Sequence, residues 1–123
     1  MEKINVLKLY KINPNGHADL LADHVLKAES FFARAKGLLG HKFLNQTEAM
    51  WISPCNNIHT FFMSFTIDCI FVDKNLNVKK VISQVRPFKI IGPFWKAHSV
   101  FEMSAGCAEK FQIKEGDQLY VVN

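Results

Sequence analysis

Ile67-Asp68-Cys69-Ile70-Phe71-Val72-Asp73-Lys74-Asn75-Leu76-Asn77-Val78-Lys79-Lys80-Val81-Ile82-Ser83-Gln84-Val85 is the stretch on which the fold turns. The apolar run Ile67–Val72 leads into Asp73–Asn77, a cluster of turn-forming residues, and the chain returns through Val78–Val85. Two β-forming runs joined by such a turn predict a hairpin. Pro cannot donate to a sheet ladder and restricts the residue before it, so Arg86-Pro87 ends the return strand.

Working outward, the same signals recur on both sides. Ile4 to Tyr10 predicts a first strand that leaves through the turn Pro14-Asn15-Gly16. Ala18 to Glu29 carries a mixed pattern: Leu20, Leu21, Val25 and Ala28 suit a helix face, whereas His24, Val25 and Leu26 suit a strand, which is the reading adopted. Ser30 can cap a helix over Phe31, Phe32, Ala35 and Leu38 that Gly37 and Gly40 weaken and end. Ala49 to Ser53, Ile58 to Phe62, Phe94 to Ala97, Val100 to Met103 and Leu119 to Val122 read as further strands, and Ala105 to Phe111 as a second short helix. The expectation is a single α+β domain over residues 1–123, with seven or eight short strands in an antiparallel or mixed sheet that curls toward a small barrel.

Composition supports a packed domain. The chain has 123 residues, 49% of them apolar and 21% charged, with eleven Phe, enough for a core without disulfide or metal staples. Cys55, Cys69 and Cys107 form an odd set without Cys-x-x-Cys spacing, which reads as free thiols in a reducing compartment. Met1 to Tyr10 lacks the apolar core of a signal peptide, and no apolar run approaches the ~20 residues of a membrane helix. These features predict a cytoplasmic protein with no membrane partner.

Four blocks of the sequence resemble the DUF192 family of small proteins. They are Arg34-Ala35-Lys36-Gly37-Leu38-Leu39-Gly40; Pro54-Cys55 with Ile58-His59-Thr60, Met63, Ile67-Asp68 and Ile70-Phe71-Val72-Asp73; Val100-Phe101-Glu102-Met103 with Ala105-Gly106; and Gly116-Asp117. The resemblance implies a compact, mostly β domain with short helices and no defined activity. His59-Thr60 stands where many relatives place Trp-Met, and Cys55 where they carry another residue. Thr66 replaces a common Pro, and His41 a common Arg.

The segment Pro54–Asp73 threads Cys55, His59, Thr60, Met63, Asp68 and Asp73 through an apolar run, and buried polar groups need partners or a role. The favoured reading is a non-enzymatic or accessory binding domain. Its pocket is built around His59, Met63 and Asp68, with Thr60 and the family-block residue Glu102 as further ligand contacts. Along a strand, alternation would put His59, Phe61 and Met63 on one side and Thr60 and Phe62 on the other, offering a small molecule or a peptide end one polar contact in an apolar site. An alternative is a thiol-dependent hydrolase or transferase with Cys55 as nucleophile, His59 as base and Asp68 as the group that orients it. Cys55, His59 and Asp68 could also ligate zinc, but without HExxH or paired cysteines no metal or cofactor is assigned.

Structural accounts stand beside each of these. Cys55 can be a small buried hydrophobe, and His59 can bond a backbone carbonyl. Asp68 can form an ion pair with Arg34, Lys36 or Arg86. Asp73 suits a turn, and Glu102 an exposed sheet face. A third function, nucleic-acid binding, draws on Lys74, Lys79, Lys80, Arg86, Lys89 and Lys96 interleaved with Phe88, Phe94 and Trp95. It is disfavoured on the expectation that these aromatics turn inward while the lysines are merely solvated.

Overall fold

The computed structural model describes residues 6–28, 44–61 and 63–123. The helix expected from Ser30 to Gly40 and the Ile4 start of the first strand lie outside them. The elements are β1 (Leu7–Ile12), β2 (Ala18–Ala28), β3 (Glu48–Ile52), β4 (Ile58–His59), β5 (Ile67–Val72), β6 (Val78–Val85), β7 (Ile90–Ile91), β8 (Ser99–Ser104), α1 (Cys107–Lys110) and β9 (Gln118–Val122).

Seven strands form one sheet in the order β6-β5-β8-β3-β2-β1-β9, and β4 pairs with β7 in a separate ribbon. The sheet is mixed: β2 and β3 run parallel, and its other pairs are antiparallel. Its two ends approach each other. Asn77 bridges Gln118, Leu119 N–H donates to Leu76 O at 3.0 Å, and Val78 N–H donates to Asp117 O at 2.8 Å. These bonds curl the sheet toward a barrel, with the β5–β6 turn meeting the start of β9.

The fold is therefore mostly β. Among the described residues the one helix is a single turn, so the expected α+β class holds only in its β part. The mid-chain hairpin is present, and the mixed pattern of Ala18–Glu29 resolves as the strand Ala18–Ala28. Phe94–Ala97 is a turn instead of a strand, because Ala97 N–H bonds back to Phe94 O.

Alternation along the central strands sorts the apolar residues into two cores. Ile70, Val72, Phe101 and Met103 face the interior of the curl with Leu9, Leu21, Val25 and Leu119. Cys69, Phe71, Val100, Met50 and Ile52 face the other way and pack with Ile58, Met63, Ile67 and Val85. Strand β5 is buried along its whole length. That two-sided burial explains its near-continuous apolar sequence.

Buried charge fixes the closed end. Lys11 Nζ donates to Phe111 O and Gln112 O, both at 3.0 Å, and lies 3.5 Å from Asp117 Oδ2. The cation thus satisfies the two carbonyls that follow α1, those of its C-cap Phe111 and of Gln112. No helix among the described residues is long and apolar enough to cross a membrane.

Candidate functional site

Asp68 is fully buried, and its partners are backbone amides. Oδ1 accepts from Gln84 N–H at 2.9 Å, and Oδ2 from Gly106 N–H at 3.1 Å and Ala108 N–H at 2.8 Å. The register explains the first contact. Ile67 faces Val85 and Cys69 faces Ile82, so Ser83 and Gln84 bulge opposite Asp68, and Gln84 adopts φ 57°. The other two bonds cap α1 from a residue remote in sequence. Three amides thus supply the compensation that sequence reading assigned to Arg34, Lys36 or Arg86; the first two lie outside the described residues, and Arg86 is solvent-exposed.

Thr60 ties β4 to the loop before β7. Its Oγ1 donates to Arg86 O at 2.7 Å and accepts from Lys89 N–H at 2.9 Å. Its own N–H donates to Lys89 O, and its carbonyl accepts from Phe88 N–H, both at 2.9 Å. Ile58 pairs with Ile91 and His59 with Ile90. Ile58 and Ile91 pack on the outer core, so His59 and Ile90 face solvent.

The expected grouping of His59, Phe61 and Met63 holds only for the first two. The His59 and Phe61 rings lie 5.5 Å apart on the surface, whereas Met63 is buried in the outer core. The strand stops at His59 and a turn follows, with Met63 N–H on Thr60 O at 3.3 Å, so alternation no longer applies. Cys55 is half-buried, and its Sγ–H donates to Asn57 O at 2.8 Å. Cys55 bonds a carbonyl, Asp68 is held by amides and His59 lies against Phe61.

Glu102 overturns the expectation of an exposed face. It is 4% exposed, opposite Met50 on β3 and Cys69 on β5, and among the described residues its Oε2 has no hydrogen-bond partner. Burial raises its carboxyl to about 7. Burial, and then the nearby Glu102 and Asp68 charges, lift the Cys69 thiol well above its ordinary range. Burial likewise raises Cys107.

Asp73 is a turn residue, its Oδ1 accepting from Asn75 and Asn77 N–H at 2.9 Å each. A small depression beside α1, about 100 Å³, is lined by Gln46, Ser104, Ala105, Gly106, Cys107 and Lys110. Its lining holds none of His59, Thr60, Met63, Asp68 or Glu102. Among the described residues no group of three or more His, Cys, Asp or Glu side chains could hold a metal ion.

Sequence reading turned inward the aromatic residues along the β4–β7 ribbon and in the turn that follows it. Phe61, Phe88, Ile90 and Trp95 are 36%, 73%, 67% and 83% exposed. Of the aromatics expected to turn inward only Phe94 does so, edge-on to Phe71 at 4.8 Å. The available signal was Ile90-Ile91, a pair of β-formers enclosed by Pro87 and Gly92-Pro93.

Comparison with known proteins places these features in a family. Residues 11–121 match DUF192, described as "Uncharacterized ACR". The UPF0127 protein PH1112 of Pyrococcus horikoshii is 33% identical over 97 residues, covering 75% of this chain and 82% of that protein. Two crystal structures share the fold. One, a candidate transcription regulator of Sinorhizobium meliloti 1021, gives a TM-score of 0.82 at 18% identity, covering 98% of each chain. The other, a protein of unknown function from Novosphingobium aromaticivorans DSM 12444, gives 0.80 at 20% identity, covering 92% of this chain and 83% of that one. At those identities the two structures speak to the fold alone. With a family match over nearly its whole length and a relative one-third identical, the chain belongs to the DUF192 family.

Proposed function

We propose that this protein is a small non-enzymatic binding domain whose contact surface is the outer face of the β4–β7 ribbon, centred on His59. One observation carries the reading. Where an edge ribbon ordinarily shows polar residues to solvent, this one shows Phe61, Phe88 and Ile90, and contiguous exposed apolar groups mark interaction sites. His59, beside Phe61 and opposite Ile90, supplies a polar contact within that apolar face. Thr60, Met63, Asp68 and Glu102 serve from beneath: Thr60 fixes the ribbon, Met63 and Glu102 belong to the core side, and Asp68 holds the bulge and the helix.

Backbone strain points the same way. Phe88 sits at φ 65°, a conformation that costs a bulky residue of order 1 kcal/mol or more, while its ring is turned to water. Amide-shift mapping during titration with a fragment and short-peptide library tests the proposal. The expected shifts fall on residues 58–61 and 86–91; shifts confined to other parts of the sheet would overturn it.

A further inference from the structure

The segments that build the ribbon, 53–66 and 84–98, contain no Asp or Glu. Their charged side chains are Arg86, Lys89 and Lys96, all exposed. Other basic residues of mid-chain are differently placed: Lys79 lies 3.5 Å from Asp73 and Lys80 3.8 Å from Glu115. These segments thus combine cationic side chains, with no carboxylate between them in sequence, and the exposed rings of Phe61, Phe88 and Trp95.

We propose that this face is a stacking platform for single-stranded nucleic acid, with Phe88, Trp95 and Phe61 under the bases and Arg86, Lys89 and Lys96 on the phosphates. The proposal rests on the binding-surface reading above and names its ligand class. Three features favour a nucleic acid over an acidic peptide or an anionic membrane. Among the described residues of these segments, exposed planar rings outnumber the one large exposed aliphatic, Ile90, and stacking needs ring faces. The cations interleave with the rings along the chain, Arg86 and Lys89 flanking Phe88 and Lys96 following Trp95, as a sugar-phosphate backbone with bases attached requires. The platform is also rigid: Thr60 makes four bonds to residues 86–89, and Gly92 packs so closely that a Cβ there would stand 2.7 Å from Asn56 O. A membrane-inserting loop has no need of such bracing.

The test is fluorescence anisotropy with a labelled oligothymidylate of about 12 nucleotides, titrated with the intact chain at several salt concentrations. Three phosphate contacts predict that log affinity falls with log salt at a slope of about −2. Phe88→Ala and Trp95→Ala should each weaken binding about tenfold, and Lys89→Ala with Lys96→Ala should flatten the slope. Lys79→Ala should leave affinity unchanged. Circular dichroism confirms that each variant folds; because both rings are mostly exposed, Trp95→Ala suffices should Phe88→Ala fail. No binding, a flat salt response, or affinity indifferent to Phe88 and Trp95 overturns the nucleic-acid proposal. In that event, an acidic peptide or phosphatidylglycerol vesicles engaging the same residues would leave the binding-surface reading standing, and their failure as well would remove both.

Discussion

Asp68 Oδ1 accepts the backbone N–H of Gln84 at 2.9 Å across a bulge in the β5–β6 hairpin, while its second oxygen holds two amides at the start of α1. One carboxylate thereby fixes a strand irregularity and a helix start together. Three of the roughly four acceptor positions of the carboxylate are thus filled by backbone amides.

Replacing Asp68 by Ala should be severe, since buried amides left without an acceptor cost about 1–3 kcal/mol each. Urea denaturation should show a loss of about 3 kcal/mol or more, with a smaller loss for Asp68→Asn, which keeps an acceptor oxygen. An unchanged midpoint in Asp68→Ala would contradict the structural role.

Glu102 makes stability depend on pH. Its folded value of about 7 stands above the ordinary 4.5, so the contribution of its protonated form is fully present below about 4.5 and is lost as pH climbs through about 7. Glu102→Gln stays neutral throughout. At about pH 8 the variant should exceed the parent by up to about 3 kcal/mol, and near pH 4 the two should converge. Parallel urea curves at the two pH values decide it; equal stabilities at both would show that burial does not penalise this charge.

Thr60→Val removes both side-chain bonds to the 86–89 loop and leaves Lys89 N–H and Arg86 O to find new partners. A loss of about 1–3 kcal/mol is expected, with faster hydrogen exchange at the Lys89 amide and substantial rescue by Thr60→Ser. Exchange unchanged from the parent would show that the ribbon does not depend on this hydroxyl.

Thiol accessibility separates binding from cysteine chemistry. Cys69 and Cys107 are buried with raised pKa values, so one thiol, Cys55, should be modified by a thiol reagent in the native protein. Its rate should not exceed that of a free cysteine at the same pH, because its hydrogen is donated to Asn57 O. A rate enhanced tenfold or more, abolished by His59→Ala, would favour the hydrolase or transferase reading over the binding one.

The β scaffold was legible because strong local signals agree with it. Ile67–Val72, the five-residue turn Asp73–Asn77 and Val78–Val85 reproduce the observed hairpin, and Val100–Met103 and Leu119–Val122 differ from β8 and β9 only at their ends. The site was less legible for two reasons. Asp68 and Thr60 are satisfied by backbone groups distant in sequence, which residue types and spacing do not encode. Phe88 and Ile90 face water against the ordinary apolar preference, so composition alone buries them. Glu102 fails for a related reason, because β8 is covered on both faces while alternation presumes that one is wet.

The seam between Leu76 and Leu119 has a temporal consequence during synthesis. Gln118–Val122 pairs with β1, and Gln118 and Leu119 also bond the β5–β6 turn. Until that segment has left the ribosomal tunnel, the outer edge of β1 stays unpaired and the β5–β6 turn lacks its bonds to Gln118 and Leu119. Productive closure must wait until the segment emerges, and a stalled ribosome would display an open, aggregation-prone sheet to its chaperones.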